Sequence, residues 1–136
     1  MKYLIAICLF TLSLPAFSEA LPAPEGAKAY FISPSDGEVI SGPFKVVMGL
    51  SGMGVAPAGT QNDKTGHHHL IIDSETPASG IPMGKSDNLR HFGGGQTETI
   101  IELAPGQHTL QLVIGDFAHR PHNPAVASEV ITITVE

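Results

Sequence analysis

Gly66-His67-His68-His69-Leu70-Ile71-Ile72-Asp73 places three successive histidines at the head of an apolar run. The run has the length and composition of a strand. Side chains alternate along a strand, so His67 and His69 share one face while His68 lines up with Leu70 and Ile72 on the other. Two neutral imidazoles roughly 6.6 Å apart on one strand face can chelate one ion, which makes the stretch half of a metal site. The ordinary reading competes with it: one histidine hydrogen-bonded at the edge of a core and the others solvated. What separates the two is whether the rest of the chain brings more ligands to the same place.

Working outward, the N-terminal residues read as a secretory signal peptide over residues 1–20. Lys2 gives a positive start, residues 3–14 are apolar but too few to span a membrane, and Ser18-Glu19-Ala20 offers the small residues a signal peptidase accepts. The single cysteine, Cys8, falls inside this segment behind Ile7, where a lipoprotein signal would need a small residue. The expected mature chain therefore has no thiolate ligand, cysteine nucleophile or disulfide, and a soft ligand would have to be a methionine. The expected location is periplasmic or secreted, with no membrane insertion after cleavage.

The formal net charge of −6, with Lys and Arg scattered, lacks the concentrated basic face of a nucleic-acid binder and excludes that class. Plentiful Gly and Pro, few charges and no tryptophan favour short strands joined by turns. Residues 21–27, with Pro22 and Pro24, read as a flexible lead-in to one domain over residues 28–136. Strands are expected at 28–32, 44–50, 67–73, 96–103, 107–115 and 129–136, where apolar residues alternate with polar ones. Met48 falls on the apolar face of the second and is expected in the core. No stretch has a helical period. The fold class is all-β, an antiparallel immunoglobulin-like β-sandwich.

Pro105-Gly106 reads as the tight turn of a hairpin between the strands at 96–103 and 107–115. With successive strands reversing, four features meet at one pole: the Met53 loop, His67 to His69, His91, and the loop carrying Asp116, His119 and His122. The candidate metal ligands are His67, His69, His91, His119, His122 and Met53, supported by His68 and Asp116. Neutral imidazole suits copper and zinc, and a thioether from Met53 would favour copper, Cu(I) above all. Met53 can equally plug its loop against the core. Asp116 can orient a ligand imidazole or cap an Asx turn. Arg120 can hold an anion or cover the loop. His108 starts its strand roughly 26 Å from the Asp116 end and is expected to be hydrogen-bonded locally beside the turn.

The strings Gly52-Met53-Gly54-Val55-Ala56-Pro57-Ala58-Gly59, Thr65-Gly66-His67-His68-His69-Leu70-Ile71-Ile72-Asp73, His91-Phe92-Gly93-Gly94-Gly95-Gln96-Thr97-Glu98 and Pro105-Gly106-Gln107-His108-Thr109-Leu110-Gln111-Leu112 resemble a bacterial exported family catalogued as a domain of unknown function. The resemblance runs from Tyr30 to Val135 and implies a small exported β-domain without bringing an activity. A looser similarity, the His-x-His on a strand, links the chain to copper-zinc superoxide dismutases. The missing disulfide cysteines and unmatched spacing argue against membership.

Three functions follow. The first is a periplasmic metal-binding protein, for copper before zinc. The second is a non-metal interaction module that binds a peptide, sugar or envelope protein through the same pole, with its histidines structural or pH-sensing. The third is a metalloenzyme, such as a superoxide dismutase-like protein, and it ranks last: the sequence offers ligands but no nucleophile elbow.

Overall fold

The computed structural model describes residues 19–136, so the expected signal peptide lies almost wholly outside the described residues. Among the described residues nine strands follow in order: β1 (Lys28–Ser33), β2 (Val39–Ile40), β3 (Phe44–Ser51), β4 (Gly54–Val55), β5 (Thr65–Ile72), β6 (Leu89–His91), β7 (Glu98–Ile101), β8 (Gly106–Gly115) and β9 (Ile131–Val135). They form a three-stranded sheet, β1-β3-β7, and a six-stranded sheet, β2-β9-β8-β5-β4, with β6 also on β5. The architecture is all-β and sandwich-like, and mostly antiparallel. β2–β9 and β4–β5 are the parallel pairs.

Strand periodicity explains the core. Ala29 of β1, Val46 and Met48 of β3, Leu70 and Ile72 of β5, Leu110, Leu112 and Ile114 of β8, and Ile131, Ile133 and Val135 of β9 alternate inward. Their contact removes the apolar faces of both sheets from water, which is the main stabilising term. Met48 is in the core, as its pattern predicts. The opposite faces of β1 and β7 stay open, leaving Tyr30, Ile32 and Ile100 exposed.

One expectation changes. β7 pairs with β3 and β8 pairs with β5 and β9, so Pro105-Gly106 does not close a hairpin but carries the chain between sheets. Both segments alternate correctly, yet alternation cannot say which neighbour a strand takes. Residues 21–27 carry backbone hydrogen bonds of their own. Ala23 N–H donates to the Asn123 carbonyl at 3.2 Å, Asn123 N–H donates to the Leu21 carbonyl at 2.9 Å, and Ala27 N–H closes a turn onto Pro24 at 3.0 Å.

β5 decides what the fold can do. It is buried on both faces: His68, Leu70 and Ile72 face the sandwich interior, and His67, His69 and Ile71 face outward yet are equally inaccessible. A strand covered on both sides normally reads as continuous apolar sequence. Here histidines occupy apolar positions, because the segments after β5 and after β8 fold back over the outer face.

Candidate metal centre

The outer face of β5 supplies the first two rings, His67 and His69, whose centroids are 4.8 Å apart. β6 runs antiparallel to β5 with His91 directly opposite His69, so register delivers the third ring to the same face, 5.0 Å from His69 and 5.1 Å from His67. The fourth, His119, comes from the loop after β8, 4.7 Å from His91, 5.1 Å from His67 and 6.2 Å from His69. On the other side of β5, Gly115 pairs with His67, and a Cβ there would stand 2.6 Å from His69 Cε1. A Cβ on Gly93 would meet the His91 ring at 2.3 Å. These two glycines make room for imidazoles.

His119 is held in place by a caged carboxylate. Asp116, fully buried, accepts from Ala118 N–H at 2.8 Å and Arg120 N–H at 2.9 Å through Oδ1, and from Arg120 Nε and Nη2, each at 2.9 Å, through Oδ2. A charge-assisted pair in which two guanidinium nitrogens share one carboxylate oxygen fixes geometry as well as adding energy. It bends residues 116–120 into a tight loop in which His119 adopts φ 65° and its N–H bonds the Asp116 carbonyl at 2.9 Å. Asp116 therefore positions a ring through the backbone and does not bond an imidazole directly. Arg120 pairs with Asp116 and lies over the Phe117 ring, 5.5 Å from its centroid.

The nitrogens of this cluster have little else to do. Both ring nitrogens of His67, both of His69 and Nε2 of His91 are buried without a hydrogen-bond partner. Leaving a buried polar atom unpaired costs about 1–3 kcal/mol, and native interiors avoid it unless something else satisfies the atom. Ligand atoms of His67, His91 and His119 all lie within 4.8 Å of one another. Donors bound tetrahedrally at metal–nitrogen distances of about 2.0–2.1 Å stand about 3.4 Å apart, so small ring rotations would bring these onto one ion.

The electrostatics favour the neutral form of His67, His69 and His91. Burial, then repulsion from His91 and His119, lowers the His67 pKa to about 4, with Asp116 opposing. Burial, then repulsion from His67, His91 and His119, lowers His69 to about 3, with a weak contact to the His67 backbone opposing. His91 is lowered by burial, by His119 and by Lys85. Neutral imidazole is the form that ligates.

Not every expected residue joins. His68 points into the sandwich interior, with Nε2 3.4 Å from the Gly49 carbonyl, and burial lowers its pKa. His122 is buried, but its Nδ1 faces the Ile114 carbonyl at 3.4 Å and its ring makes none of the contacts that join the other four. Met53 is on the wrong side of the sheet. Its ε-methyl lies 3.4 Å from the point a Cβ would take on Gly66, beside Ile114 on the interior face, where it packs against the core. His67 and His69 have the opposite parity. His108 is remote, with Nδ1 2.7 Å from Asp73 and Nε2 2.8 Å from the Ala104 carbonyl. The Asp73 carboxylate is first among the partners that raise the His108 pKa.

Sequence reading missed Met83. Its ε-methyl lies 3.1 Å from the Cβ point on Gly115, the same point that His69 approaches, which puts it on the histidine face. A methionine in a long unpatterned connection carries no local signal of this.

The crowding yields a stability test. Gly115→Ala drives a methyl group into His69 and Met83, and overpacking of this kind costs about 1–3 kcal/mol. Gly84, where an added Cβ meets nothing within 4 Å, is the comparison, and Gly84→Ala is expected to stay within about 0.5 kcal/mol. Urea unfolding midpoints of the two variants check both values.

Residues 46–136 match the family described as a domain of unknown function (DUF4399). No curated protein and no solved structure matches the chain.

Proposed function

Because the chain belongs to the DUF4399 family, whose description assigns no activity, its function has to be argued from the site, and we propose that it is an exported metal-binding protein whose ion sits among His67, His69, His91 and His119. The observation that carries this reading is the set of buried imidazole nitrogens without a well-formed hydrogen bond, packed ring against ring. A structural histidine places its nitrogens on carboxylates or carbonyls, as His108 does on Asp73 and Ala104. An ion satisfies several of them at once.

The chemistry of the site narrows the choice of ion. Imidazole donors suit zinc and copper, while hard ions such as magnesium and calcium take oxygen ligands. At nitrogen donors divalent copper binds more tightly than zinc, so copper is the preferred occupant and zinc the competitor. Access favours a carrier or store. His67 and His69 are sealed, while His91 and His119 are half-buried and open one edge of the cluster to solvent, through which an ion can enter and leave. Location in the periplasm or outside the cell rests on the signal-like start of the sequence. Among the described residues, no helix is long and apolar enough to cross a membrane.

The test is metal analysis of protein purified without a histidine tag, followed by competition titrations with Cu(I), Cu(II) and Zn(II). The expected result is one tight site per chain, with copper bound more strongly than zinc. Binding no tighter than that of scattered surface histidines would overturn the reading.

A further inference from the structure

We propose that Met83 is a thioether ligand of the histidine centre and makes it selective for Cu(I), an inference that rests on the metal-binding reading above. Among the described residues the methionines are Met48, Met53 and Met83. Met48 is in the core and Met53 packs on the interior face of β5, so Met83 is the one whose side chain shares the outer face with His67 and His69. Its ε-methyl and the His69 ring both crowd the same point above Gly115.

The backbone holds it there. Met83 N–H donates to the His119 carbonyl at 2.8 Å, Gly80 N–H to the Pro121 carbonyl at 3.1 Å, and Ser79 Oγ to the His122 carbonyl at 2.6 Å. Residues 79–83 are thus stitched along the segment that carries His119. Two parts of the site, one imidazole and one thioether, are registered on each other by direct backbone bonds.

Only a soft ion gains from this arrangement. A neutral thioether adds little for zinc, whereas Cu(I) takes sulfur readily and accepts low coordination numbers. An imidazole set alone would rank ions by their general affinity for nitrogen. Met83 adds a preference for the reduced copper ion. Met83 is half-buried, as are His91 and His119.

The experiment compares wild type, Met83→Leu and Met53→Leu, with Cu(I) affinity measured against a chromophoric chelator, Zn(II) affinity measured in parallel, and X-ray absorption recorded on the Cu(I) form. Met83→Leu is expected to weaken Cu(I) at least about tenfold while leaving Zn(II) within about twofold, and to abolish a sulfur shell present in wild type. Met53→Leu is expected to change neither affinity. Retained Zn(II) affinity also shows that the variant has folded. A wild-type Cu(I) spectrum with no sulfur scatterer overturns the assignment without any variant. Equal loss of Cu(I) and Zn(II) in Met83→Leu overturns it too, since that marks a packing role. Wild type that binds neither ion overturns the metal centre itself, a failure distinct from that of Met83 alone.

Discussion

Replacing His67 and His91 together by alanine is expected to lower metal affinity by at least about 100-fold. Disturbing a residue that merely supports a ligand commonly costs 10–100-fold, so loss of two direct ligands starts at the upper end of that range. The pair is chosen because the two rings come from different strands, β5 and β6, so the double variant cannot be rescued by adjustment of one strand. Their ligand atoms belong, with His119, to the group within 4.8 Å of one another. His122→Ala and His108→Ala are the comparisons: the first ring faces the Ile114 carbonyl and the second is held by Asp73 and Ala104, so neither is expected to shift affinity more than a few-fold. If His122→Ala matched the double variant, the four-ring site would be wrongly drawn.

The second large effect is on stability, through pH and metal together. His67 and His69 in the fold have pKa values of about 4 and about 3, below the ordinary 6.5. The unfolded chain therefore takes up protons first, and the metal-free fold loses stability as pH falls below about 6.5, the loss levelling off only below about 4 for His67 and about 3 for His69. Above 6.5 these rings contribute no pH dependence. Metal acts in the opposite sense. It binds the same neutral nitrogens, so free metal at 100 times its dissociation constant adds about 2.7 kcal/mol at neutral pH, which for a domain of this size raises Tm by roughly 10 °C. Protons compete for those nitrogens, so the increment should shrink steadily toward pH 4. Thermal melts from pH 8 to pH 4, with and without Zn(II), check both signs. A metal-free melt that is flat through this range would show that the rings are not held neutral by burial and by one another.

The shared face of His67 and His69 was legible in the sequence because strand alternation is local and needs no partner. Their neighbours were legible only in outline. His91 lies in a three-residue strand too short to show a pattern, and its place beside His69 follows from the register of β6 on β5. His119 owes its position to the Asp116–Arg120 cage, which needs the chain to turn back on itself before the charges can meet. Met53 looked like the soft ligand because strand reversal brings its loop to the same pole as the triplet, but a step of one residue along β5, from His67 to Gly66, reverses the face of the sheet. Met83 gave no sign, since nothing in residues 74–90 repeats.

By itself the sequence determined the all-β class, the inward faces of the long strands and the two-histidine nucleus on β5, since each depends on the period of a single chain segment. Only the tertiary structure decided that β7 joins β3, that the outer face of β5 is covered, and that His91, His119 and Met83 come to it while His122 and Met53 do not. These are choices among partners distant in the chain. They are fixed by which apolar faces can be buried together and which backbone groups can be paired at once, conditions that no local pattern contains.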